Sequence, residues 1–176
     1  IEKTGIYGVY SIEKFGEDNL YIGGRFNSYT QQAQSIQCNN ILKYNMTDRE
    51  FSELNGGITK REGYGVIYAI KTMNSNLQGS SSDLMIGGSF DIINVDQSEE
   101  KSVYNLAIWT GIEWNPISPI PNATETFGVT NNTGDAVVYT LEPANISRTD
   151  INSQNYMYIG GKFNLLYTYD NTTVNS

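Results

Sequence analysis

Residues 84–91 read Leu84-Met85-Ile86-Gly87-Gly88-Ser89-Phe90-Asp91, and the same pattern stands at two other places in the chain. The copies are Leu20-Tyr21-Ile22-Gly23-Gly24-Arg25-Phe26-Asn27 and Met157-Tyr158-Ile159-Gly160-Gly161-Lys162-Phe163-Asn164. Ile22, Ile86 and Ile159 lie 64 and then 73 residues apart. Three occurrences of Ile-Gly-Gly-x-Phe-Asn/Asp mark an internal repeat.

More of the unit recurs around the motif. Upstream of each copy is a short apolar run around a tyrosine: Gly8–Ile12, Val66–Ile70 and Val137–Leu141. Downstream of the first two come Asn40–Tyr44 and Asn105–Trp109, then Phe51–Leu54 and Trp114–Ile117. Each run is short, rich in β-branched and aromatic residues, and bounded by Gly, Asn, Asp or Ser, which is the pattern of short antiparallel strands. No long window has helical spacing with a cap. The chain therefore reads as all-β, with four strands to a unit.

Glycine weakens a strand unless a bulge or a close backbone approach requires a missing Cβ. Phe26, Phe90 and Phe163 each follow the second glycine by two residues, so the two share a face. This predicts that Gly24, Gly88 and Gly161 make room for a bulky neighbour between units, with Trp109 or its counterpart Tyr44 as candidates. Polar insertions at 28–39, 72–83, 92–103, 118–134 and 143–155 read as surface loops, the usual place for binding residues.

At these residues the chain resembles the kelch-like superfamily of β-propellers, which includes the central domain of galactose oxidase. It looks closer still to the secreted fungal cortical bud-site marker family. Units of that kind run Gly-Gly-x-Phe, Asn-x-Ala-x-Trp, a Gly turn and a Trp. Gly87-Gly88-Ser89-Phe90, Asn105-Leu106-Ala107-Ile108-Trp109, Gly111 and Trp114 follow that order, whereas Tyr44 and Phe51 replace the tryptophans in the first unit. The resemblance implies antiparallel four-stranded blades, in a partial propeller or an open stack. Cut at the motif, residues 1–19 are the end of a preceding blade, 20–83 and 84–155 are blade repeats, and 156–176 start another. Because a propeller usually closes with four or more blades, it also implies that the chain continues, that copies assemble, or that units stack openly as a solenoid.

Composition narrows the chemistry. The net charge is −8 with 11 basic residues and no cluster beyond Lys60-Arg61, which argues against nucleic acid and anionic membranes. Apolar runs stop at five or six residues, far short of the roughly 20 a membrane span needs. Histidine is absent, which removes Ser-His-Asp catalysis and the usual zinc and copper ligands. The galactose oxidase resemblance therefore does not extend to that enzyme's copper site. Acidic residues are scattered, with no evident glycosidase pair. Asp91–Asp96 has the oxygen-rich spacing of a calcium loop but apolar residues between its ligands. The Gly-Gly pairs lack the helix and Lys-Ser/Thr of a phosphate loop. No enzyme activity and no cofactor are expected.

Cys38 is the single cysteine and reads as a buried thiol, with a partner cysteine outside the stretch as the alternative. Asn45, Asn122, Asn131, Asn145 and Asn171 head Asn-x-Ser/Thr sequons. Composition alone gives about three, so their placement in turns and inserted segments counts for more than their number. Tyr29, Tyr64, Tyr167 and Tyr169 lie outside the repeated core and are candidates for sugar stacking or for packing under loops. The expectation is a secreted, N-glycosylated, non-catalytic scaffold or adhesion protein of a cell surface, matrix or appendage. Its partners would be copies of itself or further blades, and glycans. A lectin-like propeller is the alternative, as is a fragment of a propeller enzyme whose active site lies elsewhere.

Overall fold

The computed structural model describes residues 7–73, 83–98, 100–117, 128–132, 134–144, 156–167 and 173–175. Regular structure among them is entirely β. No helix among them is long and apolar enough to cross a membrane. The chain opens with β1 (Gly8–Phe15) and β2 (Asn19–Arg25), continues through the hairpin β3 (Ser28–Gln31) and β4 (Gln34–Gln37), and returns as β5 (Ile41–Asn45) and β6 (Glu50–Ser52). After β7 (Ile58–Thr59) the order recurs: β8 (Val66–Met73), β9 (Asp83–Ser89), β10 (Ile92–Ile93), β11 (Lys101–Ser102), β12 (Leu106–Trp109) and β13 (Trp114–Asn115). It begins again with β14 (Gly128–Thr130), β15 (Val137–Ala144), β16 (Tyr156–Lys162), β17 (Leu165–Tyr167) and β18 (Thr173–Asn175).

The strands form two equivalent four-stranded antiparallel sheets, β1-β2-β5-β6 and β8-β9-β12-β13, and the two-stranded start of a third, β15-β16. Their registers coincide. Ile12 faces Ile22, Ile70 faces Ile86 and Leu141 faces Ile159 across the first hairpin of each. A bulge interrupts each first strand at the same place, between Val9 and Ser11, Ile67 and Ala69, and Val138 and Thr140. The extra residue is Tyr10, Tyr68 or Tyr139. In an unbroken strand, residues three apart point to opposite faces. The bulge reverses that alternation, so Ile67 and Ile70 reach the same neighbour.

That neighbour is the first glycine of the preceding motif. A Cβ on Gly23 would lie 2.6 Å from Ile67 Cγ2 and 2.8 Å from Ile70 Cδ1. A Cβ on Gly87 would lie 2.5 Å from Val138 Cγ1 and 3.4 Å from Leu141 Cδ1. The second glycine has a different task. A Cβ on Gly24, Gly88 or Gly161 would run into the carbonyl oxygen of Gly8, Val66 or Val137 on the bulged strand of its own sheet. The expected aromatic neighbour is thus replaced by backbone. Trp109 does pack between the large sheets, but against Trp114, 5.1 Å between ring centroids, within the core that holds Tyr21, Leu54 and Ile67. Trp114 is fully buried and donates its Nε1–H to Leu54 O at 2.8 Å. Tyr44 stays in its own sheet, 4.7 Å from the Phe51 ring. A second core, with Ala69, Met85, Leu106, Val138 and Leu141, joins the second sheet to the third.

The structure differs from the sequence reading in where the units divide and in what the insertions contain. Gly8–Phe15 pairs with β2, so the first sheet begins at Gly8 and not at residue 20. The motif sits in the second strand of its sheet, and a cut there divides a hairpin. The insertions 28–39 and 92–103 also contain strands: β3 and β4 pair, and β10 lies between β7 and β11. Ile93 and Asn94 are completely buried, because this hairpin satisfies the backbone of β7 as it leaves the preceding sheet. β14-β17-β18 repeats the arrangement, with Thr130 opposite Leu165 as Thr59 is opposite Ile92.

Gly88→Ala drives a methyl into the Val66 carbonyl and should cost at least about 2 kcal/mol. Gly111→Ala, where a Cβ meets nothing within 4 Å but φ is +97°, carries backbone strain alone and should cost less. Urea unfolding of the two variants measures the difference.

Candidate functional site

The feature repeated with the most specific polar chemistry is the junction where the chain leaves one sheet for the next. Asn40 and Asn105 begin the third strands from left-handed backbone, with φ of 65° and 63°. Asn40 Oδ1 accepts the Phe26 N–H at 3.1 Å, while its Nδ2 donates to Ile58 O at 2.9 Å. Asn105 does the same with Phe90 N–H at 3.0 Å and Val129 O at 2.9 Å. Each amide therefore ties the motif to the strand that crosses over. Asparagine suits the position because it tolerates left-handed backbone and carries one acceptor and one donor group.

The last motif residue completes the latch. The Asp91 and Asn164 N–H groups donate to Thr59 O and Thr130 O at 3.1 and 3.2 Å. Their side-chain oxygens accept the Arg61 and Asn132 N–H groups at 2.9 and 3.1 Å. The signal in the sequence was an Asn/Asp at the same place in every motif and an Asn heading both third strands.

A polar crevice opens at each of the two described junctions. One, about 290 Å³, is lined by Lys60, Asp91, Asn105 and Asp135. The other, about 100 Å³, is lined by the equivalent Asn27, Asn40 and Tyr64, and by Arg25. In the first, Lys60 Nζ sits 2.8 Å from Asp135 and 3.2 Å from Ser89 Oγ. The hydrogen bond and charge of Lys60 hold the Asp135 carboxyl below its ordinary range. In the second, the Arg25 guanidinium lies 3.7 Å from the Tyr64 ring centroid, and its Nε and Nη2 are buried without hydrogen-bond partners. The first crevice thus holds Lys60 paired with a carboxylate, with Arg61 also in its wall, and the second holds Arg25 laid on an aromatic face.

Among the described residues no group of three or more His, Cys, Asp or Glu is placed to hold a metal ion. In the segment with calcium-loop spacing, Asn94 is committed to Trp114, with its Oδ1 accepting the Trp114 N–H at 3.0 Å and its Nδ2 donating to Trp114 O at 2.9 Å. Described carboxylates such as Glu13 and Glu113 pair with Lys71 and Lys101 at 3.8 and 3.5 Å. Burial, and secondarily the charge of Glu53, pushes the Cys38 thiol up to about 11. It is a free, buried, protonated thiol at neutral pH and a poor nucleophile.

Of the four tyrosines that are candidates for sugar stacking or for packing under loops, the two described ones, Tyr29 and Tyr64, are packed. Tyr29 packs 5.6 Å from the Phe51 ring and donates to Phe51 O at 3.4 Å. Tyr64 lies under Arg25. The side chain of Tyr167 and the whole of Tyr169 lie outside the described residues. The exposed tyrosines include two of the bulge residues, beside Tyr7, Tyr104 and Tyr158. Tyr10, Tyr68 and Tyr139 form a row with centroids 5.3 and 5.4 Å apart, and the two end rings are exposed. The alternating pattern hid them, because only the bulge turns them outward.

Of the sequons, Asn45 Oδ1 accepts the Thr47 and Asp48 N–H groups at 2.9 Å each, holding the β5–β6 turn. Asn131 instead spends its Nδ2 on Asp135 O at 2.8 Å. Asn122, Asn145 and Asn171 lie outside the described residues.

No protein-family model, curated protein or solved structure matches the chain.

Asn40→Ala leaves the Phe26 N–H and the Ile58 carbonyl unpaired and should cost about 2–4 kcal/mol. Asn40→Asp, which keeps the acceptor and loses the donor, should fall between Ala and wild type in equilibrium unfolding.

Proposed function

We propose that this chain is a non-catalytic, secreted scaffold or adhesion protein whose sheets are kelch-like propeller blades. The observation that carries this reading is the sheet-to-sheet interface built twice from equivalent residues, Gly23 on Ile67 and Ile70, then Gly87 on Val138 and Leu141. The sequence invests its repeated positions in stacking. Blade geometry is supported by the strand order, in which each large sheet runs from first to fourth strand in sequence. It is supported also by the close approach of the first strands to one another, β1 to β8 and β8 to β15, as at the inner edge of a radial array.

The extracellular, glycosylated part of the proposal rests on Asn45. It stands in the turn between two edge-proximal strands and uses only its oxygen to hold that turn. A glycan on its nitrogen would leave both turn hydrogen bonds intact. At Asn131 the nitrogen that a glycan would occupy is the one bonded to Asp135 O. Secreted from a eukaryotic host, the protein should carry a glycan at Asn45 and little at Asn131, read by peptide mapping with Asn45→Gln as control. Secretion with Asn45 unmodified would count against this part.

A second reading, a carbohydrate-binding propeller, is favoured by one observation. The bulge puts a tyrosine at the same place in every unit, at Tyr10, Tyr68 and Tyr139. Tyr10 and Tyr139 are exposed on either side of the half-buried Tyr68, and an exposed aromatic ring offers an apolar face to a sugar ring. If this reading holds, binding to a glycan array by enzymatically deglycosylated protein should be lost in the Tyr10→Ala/Tyr139→Ala double variant. Binding unchanged by that variant, or none in wild type, excludes it.

A further inference from the structure

Two exposed sheet faces among the described residues, the back of β1-β2 and the front of β15-β16, carry the residue types that the internal interfaces bring together. On the back of each sheet the aliphatic pair is Val9 and Ile12, Ile67 and Ile70, or Val138 and Leu141. The second and third pairs are 0–1% exposed, while Val9 and Ile12 are 53% and 59% exposed. On the front, the residue two before the first glycine is Tyr21, Met85 or Tyr158. The first two are 5% and 4% exposed under the next sheet, and Tyr158 is 65% exposed. Around Gly160, the contact a Cβ would make among the described residues is with Thr140 Cγ2 of its own sheet.

Polar groups match as well. At the first junction Ser11 Oγ accepts the Ile70 N–H at 3.1 Å, and Glu13 accepts the Thr72 N–H at 3.2 Å. Thr140 and Glu142 stand on the third sheet where Ser11 and Glu13 stand on the first. On the open back face, Ile12 and Lys14 occupy the places of Ile70 and Thr72. A front carrying Glu142 therefore meets a back carrying Lys14, and the exposed pair has opposite charge.

We infer that the Val9–Ile12 face of one copy of this chain docks, head to tail, on the Tyr158–Gly160 face of a second copy. Gly160 receives the aliphatic pair, Thr140 accepts the Ile12 N–H, and Glu142 pairs with Lys14. Such a contact is heterologous, so it propagates into a ring if the rotation closes and a filament if it does not. The inference deepens the scaffold reading by naming its partner, and rests on it only for biological purpose.

The test mixes two variants of the purified chain in sedimentation velocity, with circular dichroism checking that each keeps its sheets. Ile12→Arg blocks the back and Tyr158→Arg blocks the front, both at solvent-exposed positions. Wild type should associate increasingly with concentration, and each variant alone should associate at least about tenfold more weakly. An equimolar mixture should form a dimer and nothing larger, because one copy keeps a front and the other a back. As a second measurement, Lys14→Glu and Glu142→Lys should each weaken association and the double variant should restore it. Wild type that stays monomeric, either arginine variant alone associating like wild type, or a mixture that stays monomeric would overturn the inference. None of these results touches the glycan at Asn45, so the two proposals fail separately.

Discussion

The structure depends on a coupling between two adjacent glycines. The second glycine of each motif lets the neighbouring strand bring its carbonyl oxygen close enough to bulge. The bulge turns residues three apart onto one face, so Ile67 and Ile70, and later Val138 and Leu141, act as pairs. The first glycine of the preceding sheet is the hollow that receives each pair. One dipeptide thus serves the fold within a sheet and between sheets. Burying each such aliphatic side chain contributes about 1.5–3 kcal/mol, more than the long, partly exposed ion pair of Lys71 with Glu13.

Around that hydrophobic interlock, a smaller polar device sets the path of the chain. Asn40 and Asn105 use both ends of their amides to tie a motif to the crossing strand. The crossing strand then pairs in the small sheet of the next unit, through β7-β10-β11 and β14-β17-β18. Each unit therefore holds its successor twice, by packing under the large sheets and by hydrogen bonds beside them. Buried backbone groups need such partners, and the inserted segments that look like loops supply them. The same bulge that builds the packing sends a tyrosine outward in every unit, so a structural requirement also shapes the exposed surface.

The repeat and its consequences were legible in the residues themselves. Three Ile-Gly-Gly-x-Phe-Asn/Asp copies, with apolar runs at matching distances, determine the number of units and their strand content. Short runs of β-branched and aromatic residues bounded by turn formers determine the all-β class. The buried state of Cys38 also follows from an uncharged thiol within a strand-rich segment.

What each glycine contacts was decided only by the tertiary structure. Gly23 meets Ile67, 44 residues away in sequence, and no local pattern records such a contact. Strict alternation assigns each strand residue a face, and a single bulge after Val9, Ile67 or Val138 reverses that assignment for the rest of the strand. The burial of Ile93 and Asn94 likewise arises because a strand from the previous unit arrives beside them. Sequence specifies local periodicity because neighbouring residues share one backbone geometry; contacts between sheets depend on where separate pieces of that backbone finally meet.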